Sequence, residues 1–187
     1  MKIAIGAFAL AIVLSGAAAA QGVARVGRPE APAGQPKSFQ GWSTQQVLAF
    51  FSDRTRVTWV PSHGTQVAYT TRDGRSYLWY PGNPTILAGR WEVRERAMNL
   101  QDENGSIRTV QNPSVCFAYG ANTYNPATGH SGGGWECALF GFFVRGLGEA
   151  RSGDTFGLAK RSSVPFVLPR QERLTLQEIA RRGRAHR

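Results

Sequence analysis

From Arg56 to Val144 apolar and polar positions alternate mostly with a period of two, broken at short intervals by glycine, proline, asparagine and aspartate. Such alternation puts successive side chains on opposite faces of a strand, and the β-branched and aromatic residues common here fit a pleated surface. Arg56-Val57-Thr58-Trp59-Val60, Gln66 to Thr71 and Ser76 to Tyr80 read as three strands, turned by His63-Gly64 and by Asp73-Gly74. The Asp-Gly pair predicts a two-residue hairpin loop, whose type I′ form needs positive φ at both residues. After a turn at Pro81-Gly82-Asn83-Pro84, the residues Leu87, Gly89, Trp91 and Val93 alternate with Arg90, Glu92 and Arg94. The first set is expected to face inward and the charged set to face water. Gly89 within such a strand signals a bend or a close approach of another strand. Ala97 to Leu100 and Ser106 to Val110 flank a second hairpin signal, Asn104-Gly105.

The densest apolar run lies between Val115 and Val144 and contains both cysteines, Cys116 and Cys137. Two strands joined by a long loop rich in glycine, asparagine and proline are expected there. Leu139 to Val144 is apolar on both faces, as in a central strand covered on both sides or a patch that meets a partner. Gly146 to Gly148 and Gly153 read as turns, and Thr155 to Leu158 as a last short strand. Helical signals are confined to two capping boxes, Ser43-Thr44-Gln45-Gln46 before Val47, Leu48, Phe50 and Phe51, and Thr175-Leu176-Gln177-Glu178 near the end. Asp53 closes the first helix. Closely spaced short strands of this kind predict a mainly β fold. The expected form is an antiparallel meander in a partial or closed barrel, with one short N-terminal helix and one disulfide.

Domain organisation follows from the ends of the chain. Met1-Lys2, an apolar run from Ile3 to Leu14 and the small residues Ser15 to Ala20 form a secretory signal peptide over 1–20. The apolar run is shorter than the roughly 20 residues that a membrane span needs, and no transmembrane segment is expected in the mature chain. Residues 21–41 read as a flexible leader, 42–160 as the β domain, and 161–187 as a basic tail with a short helix. Charge sharpens this division. Of the formal net charge of +10, little belongs to the body: between Trp42 and Gly157 ten arginines face nine acidic residues. From Leu158 onward eight Lys and Arg face Glu172 and Glu178. Such an end attracts anionic surfaces non-specifically; no nucleic-acid recognition motif accompanies it, and no nucleic-acid partner is expected.

Two cysteines in an exported chain are expected to pair, and the loop they close would contribute about 3 kcal/mol in the chain-entropy model. Free or metal-bound thiols are the rival reading. No His stands at a ligand spacing from either Cys, so no metal and no cofactor are expected. Gly129-His130-Ser131-Gly132-Gly133 resembles the Gly-Asp-Ser-Gly-Gly around the nucleophile of trypsin-like serine proteases, with His in place of Asp. A triad needs a base and an orienting acid, and the remaining histidines are His63 in a turn and His186 at the tail. The glycines therefore read as loop slack, and no catalytic residue is assigned. Aromatic residues are numerous enough to fill a core and to line a barrel mouth. The candidate binding residues are Tyr77 and Trp79 on the third strand, and Tyr119, Tyr124, His130, Ser131 and Trp135 in and around the loop between the cysteines.

Gly74 with Tyr77, Gly89-Arg90-Trp91-Glu92-Val93, Val115-Cys116-Phe117-Ala118-Tyr119 and Trp135-Glu136-Cys137 follow one another in an order that resembles the domain of unknown function 995, a family of small exported proteins of Gram-negative bacteria. Its pattern has a Gly-x-x-Tyr strand, a Gly-x-Trp-x-Val strand, a Cys followed by an aromatic residue, and a second Cys. The resemblance covers about Val47 to Lys160; the loop from Gly120 to Gly134 and the basic tail depart from it. It implies a periplasmic β-rich domain with one disulfide and no assigned activity, and it supplies no catalytic residues.

Three functions are weighed on these grounds. The first is a non-enzymatic periplasmic or secreted β domain that binds a ligand, a glycan or an envelope protein. The second is an inhibitor of an envelope hydrolase such as lysozyme, acting through the loop between the cysteines. The third is a hydrolase, which would need His130 within hydrogen-bonding reach of Ser131 or an acid. A concave, aromatic-lined cavity favours the first, and a loop projecting from the body the second.

Overall fold

A computed structural model of the chain describes residues 41–61, 63–126 and 128–185. The expected signal peptide, the leader as far as Gln40, and the terminal His186 and Arg187 lie outside the described residues. The chain enters through α1 (Thr44–Phe51), opened by the capping box at Ser43 and Gln46: Ser43 Oγ accepts from the Gln46 N–H, and Gln46 Oε1 accepts from the Ser43 N–H at 2.9 Å. Val47, Phe50 and Phe51 form its buried side. Asp53, at a φ of 52°, turns the chain out of the helix, and its carbonyl accepts from the Gly153 N–H at 2.8 Å.

The strands are β1 (Arg54–Val60), β2 (Gly64–Thr70), β3 (Arg75–Trp79), β4 (Leu87–Gln101), β5 (Ile107–Tyr119), β6 (Tyr124–Asn125), β7 (His130–Ser131), β8 (Trp135–Leu139) and β9 (Leu147–Ser152). Seven of them form one antiparallel sheet in the order β8-β5-β4-β3-β2-β1-β9, while β6 and β7 pair with each other inside the loop between the cysteines. β1 to β5 are the expected meander. The sheet curls into a half-barrel, the partial form of the two expected. Cys116 and Cys137 stand directly opposite each other on β5 and β8, with Cα atoms 4.0 Å apart, and are disulfide-bonded. Among the described residues no helix is long and apolar enough to cross a membrane.

Local chemistry overrides the sequence pattern in several places. Both hairpin signals mark turns, but each turn encloses three residues: the Thr71 N–H bonds the Arg75 carbonyl at 2.9 Å and the Asp102 N–H bonds the Ser106 carbonyl at 3.0 Å. Positive φ falls on Gly74 and Gly105, each at 81°, and not on Asp73 or Asn104. This is the three-residue loop that ends on a left-handed residue. Strand β5 runs through Asn112-Pro113 without a break. Pro113 lies opposite Glu95, just before β8 begins to pair at Ser114, and a strand tolerates a residue without an N–H at such an edge.

The apolar run after Leu139 is not a strand. It leaves the sheet as α2 (Phe140–Phe143), a helical turn that buries Phe140 in the cluster of Trp42, Phe50 and Phe51 and leaves Phe142 58% exposed. Leu147–Ser152, which begins inside the turn expected at Gly146 to Gly148, pairs along β1 as β9 and satisfies its edge. Thr155 to Leu158 is not a strand either. The Asp154 carboxylate accepts from the Leu158 N–H at 2.7 Å and the Ala159 N–H at 2.8 Å, which starts a 3-10 turn at Leu158–Lys160.

The basic segment 161–185 is packed against the sheet. Leu168, Leu174, Leu176 and Ile179 join Val57, Val67, Trp79 and Leu158 in one buried cluster on one face of β1 to β3. The second capping box works as expected: Glu178 Oε2 accepts from the Thr175 N–H at 2.7 Å and Thr175 Oγ1 from the Glu178 N–H at 3.2 Å. The helix it opens, α3 (Leu176–Ala185), buries Leu176 and Ile179 in that cluster. A second cluster, built from Val47, Phe50, Phe51, Trp91, Val115 and Phe140, closes one end of the opposite face.

Candidate ligand cavity

Strand register sorts the side chains of the half-barrel into two faces. Val57, Val67, Tyr77 and Trp79 share the face covered by the C-terminal segment. Arg56, Ala68 and Leu78 are cross-strand neighbours on the other face, and Phe117 and Glu136 continue it across β5 and β8. That face is concave. It holds two overlapping hollows of ≈ 390 Å³ and ≈ 340 Å³, which share Gln66, Leu78, Phe117, Tyr119, Asn125 and Glu136. Together they form one trough across the half-barrel, of the size of small-molecule sites.

One end of the trough is apolar. Val115, Ala138, Phe142 and Phe143 line it, with Phe143 set edge-on to Phe51 at 5.3 Å. The other end is rimmed by Tyr80, Arg170 and the loop between the cysteines. That loop does not project. The Gly133 N–H bonds the Tyr119 carbonyl at 2.9 Å and the Gly132 N–H bonds the Thr123 carbonyl at 2.8 Å, folding the loop back on the strand ends. Asn125 Nδ2 donates to both carboxylate oxygens of Glu136, at 3.2 and 3.1 Å, and ties the loop to the trough wall.

Two polar groups stand in the deep part. Tyr119 shares a hydrogen bond with Ser76 Oγ at 3.0 Å, and burial pushes its phenol up to about 12, so it is neutral at physiological pH. Arg56, 1% exposed, donates from Nη1 to Thr70 Oγ1 at 2.7 Å, and its guanidinium lies 3.9 Å from the centre of the Phe51 ring. The Thr70 hydroxyl gives its own proton to the Phe51 carbonyl, which leaves it an acceptor for Arg56. Burial lowers the Arg56 guanidinium to about 9, still charged at neutral pH.

The sequence-derived candidates divide three ways. Tyr119, Tyr124 and His130 do line the trough, Tyr124 from an exposed position on its rim. Tyr77 and Trp79 do not. Trp79 is fully buried on the opposite face, with its indole N–H bonded to the Phe166 carbonyl at 3.0 Å, and Tyr77 packs beside it. These aromatics serve the core because the C-terminal segment covers them. Trp135 also lies on the opposite face, on the side of the disulfide, under the Arg94 guanidinium at 5.1 Å. Ser131 pairs with Tyr124 outside the trough lining. Among the described residues His130 Nε2 is buried and has no hydrogen-bond partner. Among the described residues no group of three or more His, Cys, Asp or Glu could hold a metal ion.

Sequence reading missed Arg56, Gln66, Leu78, Phe117 and Glu136 as site residues. The alternation of Arg56, Thr58 and Val60 with Val57 and Trp59 marks a polar face. A polar face reads as solvent-facing unless the sheet is known to curl around it. In comparisons with known proteins, no family model matches this sequence, and no curated protein or solved structure is found that matches it.

Proposed function

We propose that the chain is an exported, non-enzymatic binding protein of the cell envelope that holds a small, largely apolar ligand in the trough of its half-barrel. The observation that carries this reading is the trough itself: a concave sheet face whose two hollows share one lining of Leu78, Phe117 and Tyr119 with a few convergent polar groups. The disulfide supports export, because such bonds persist in oxidising compartments. The resemblance to the domain of unknown function 995 points the same way. The loop between the cysteines lends less support to a hydrolase inhibitor, since it is bonded back onto the strand ends instead of projecting.

Fluorescence titration with the neutral probe N-phenyl-1-naphthylamine tests the reading. Saturable binding at one site is expected. Ala138→Trp, which places an indole in the apolar end from an exposed backbone position, is expected to weaken binding roughly ten-fold, as expected when about 1.4 kcal/mol of contact is lost, with an unchanged circular dichroism spectrum. Absence of saturable binding, or equal binding by the variant, would defeat it.

A further inference from the structure

The trough contains a cation that forms no ion pair among the described residues. Arg56 comes from an interior position of β1, lines the apolar half of the trough and is 1% exposed. A buried guanidinium is costly unless it meets an anion and several acceptors. Among the described residues it has no ion pair, one hydrogen-bond acceptor, Thr70 Oγ1, and an Nε with no partner at all. Its other neighbour is the face of Phe51. Glu136 is the acidic residue lining the trough. Its two oxygens are taken by Asn125 at the loop end, and it forms no salt bridge with Arg56. A purely structural role would be served as well by an apolar side chain of similar volume, since replacing buried charge in this way is often neutral or stabilising.

Resting on the ligand-binding reading, we propose that Arg56 is an anion receptor, and that the trough takes an amphipathic anion, an acidic head group on an apolar body. The head group seats against the guanidinium, which offers planar, paired donors suited to a carboxylate or phosphate. The apolar body lies along Leu78, Phe117 and Phe143. The neutral hydroxyl of Tyr119 faces the same space and adds no opposing charge. Glu136 lines both hollows with its carboxylate held by Asn125, and it disfavours an acidic group beside itself. Among the described residues no carboxylate is ion-paired with Arg56, so the ligand's own charge completes the site.

The experiment is displacement of N-phenyl-1-naphthylamine from the full mature chain by decanoate and by 1-decanol, which share an apolar chain and differ in the head group. The wild type is expected to bind decanoate at least roughly ten-fold more tightly, the effect of one charge-assisted hydrogen-bonded contact. Arg56→Met should abolish that preference, and Arg56→Lys should restore part of it. Equal affinities of the wild type for the two ligands overturn the proposal and leave the ligand-binding reading standing; this comparison decides even if Arg56→Met fails to fold. A preference that persists in folded Arg56→Met also overturns it. If the neutral probe does not bind the wild type, the ligand-binding reading falls, and the anion receptor with it.

Discussion

Gly89 and Tyr119 stand opposite each other on β4 and β5, so close that a Cβ on Gly89 would lie 2.5 Å from Tyr119 Cδ1 and 2.4 Å from the Ala118 carbonyl oxygen. The ring of Tyr119 occupies the space that any other residue would fill, and from there its hydroxyl reaches Ser76 at 3.0 Å in the trough. The ring could swing away from an added methyl, but the backbone oxygen could not. Gly89→Ala is therefore expected to destabilise the fold by about 1–3 kcal/mol, the range for overpacking, in spite of the gain that alanine brings by restricting the unfolded chain. Urea unfolding measures this, and probe binding should weaken in step as Tyr119 is displaced. An unchanged urea midpoint would show that the Ala118 carbonyl does not crowd Gly89 as closely as this.

The cysteines join neighbouring strands whose backbones are already paired from Ser114 with Leu139 to Ala118 with Trp135. The bond is thus an addition to an existing register and acts mainly by restricting the unfolded chain. Replacing both cysteines with alanine should leave the circular dichroism spectrum in place and cost about 3 kcal/mol for a loop of this length. Mass spectrometry should find the oxidised form, two hydrogen atoms lighter than the reduced one. Two free thiols would contradict the pairing.

The features legible in sequence are those set by local chemistry. The capping boxes at Ser43 and Thr175 have the bonds their spacing calls for, and the meander from β1 to β5 follows the alternation and its turn signals. Gly89 marks a close strand approach, as its position in the pattern suggested. What could not be read depends on tertiary coverage. Trp79 and Phe117 are both aromatic residues at alternating strand positions, yet the C-terminal segment buries one and the curl of the sheet exposes the other to the trough. Arg161 to Arg184 made that segment resemble a solvated tail. Its apolar residues, Leu168, Leu174, Leu176 and Ile179, are too widely spaced to show their common destination before the fold is known. Arg56 was illegible for the same reason: a charged residue in an alternating strand reads as surface until a second wall closes over it.

Trp79 tests the division of the aromatics directly. It is fully buried against Phe156 and Phe166, with ring centres 5.7 and 5.0 Å away, and its N–H bonds the Phe166 carbonyl. Trp79→Ala should cost roughly 3–5 kcal/mol, as for a large buried aromatic, and release residues 161–185 to limited proteolysis at their arginines. Leu78, one position along, faces the trough. Leu78→Ala should cost less and alter probe binding more. A reversal of that order would place Trp79 in the ligand site after all.

The pH dependence of stability should carry a signature of His63. It is buried in the turn between β1 and β2, with Nδ1 hydrogen-bonded to the Tyr80 hydroxyl. Burial first, and then the nearby Arg170 guanidinium, hold its folded-state value below the ordinary 6.5. Because the folded value is the lower one, the unfolded chain takes up this proton first as the pH falls. The stability contributed by neutral His63 is complete above the unfolded value and is lost as the pH drops through the folded value. Melting temperatures measured from pH 8 to pH 5 should therefore fall more steeply in the wild type than in His63→Gln, which has no proton to gain. Parallel curves for the two proteins would mean that His63 titrates alike in the folded and unfolded chains.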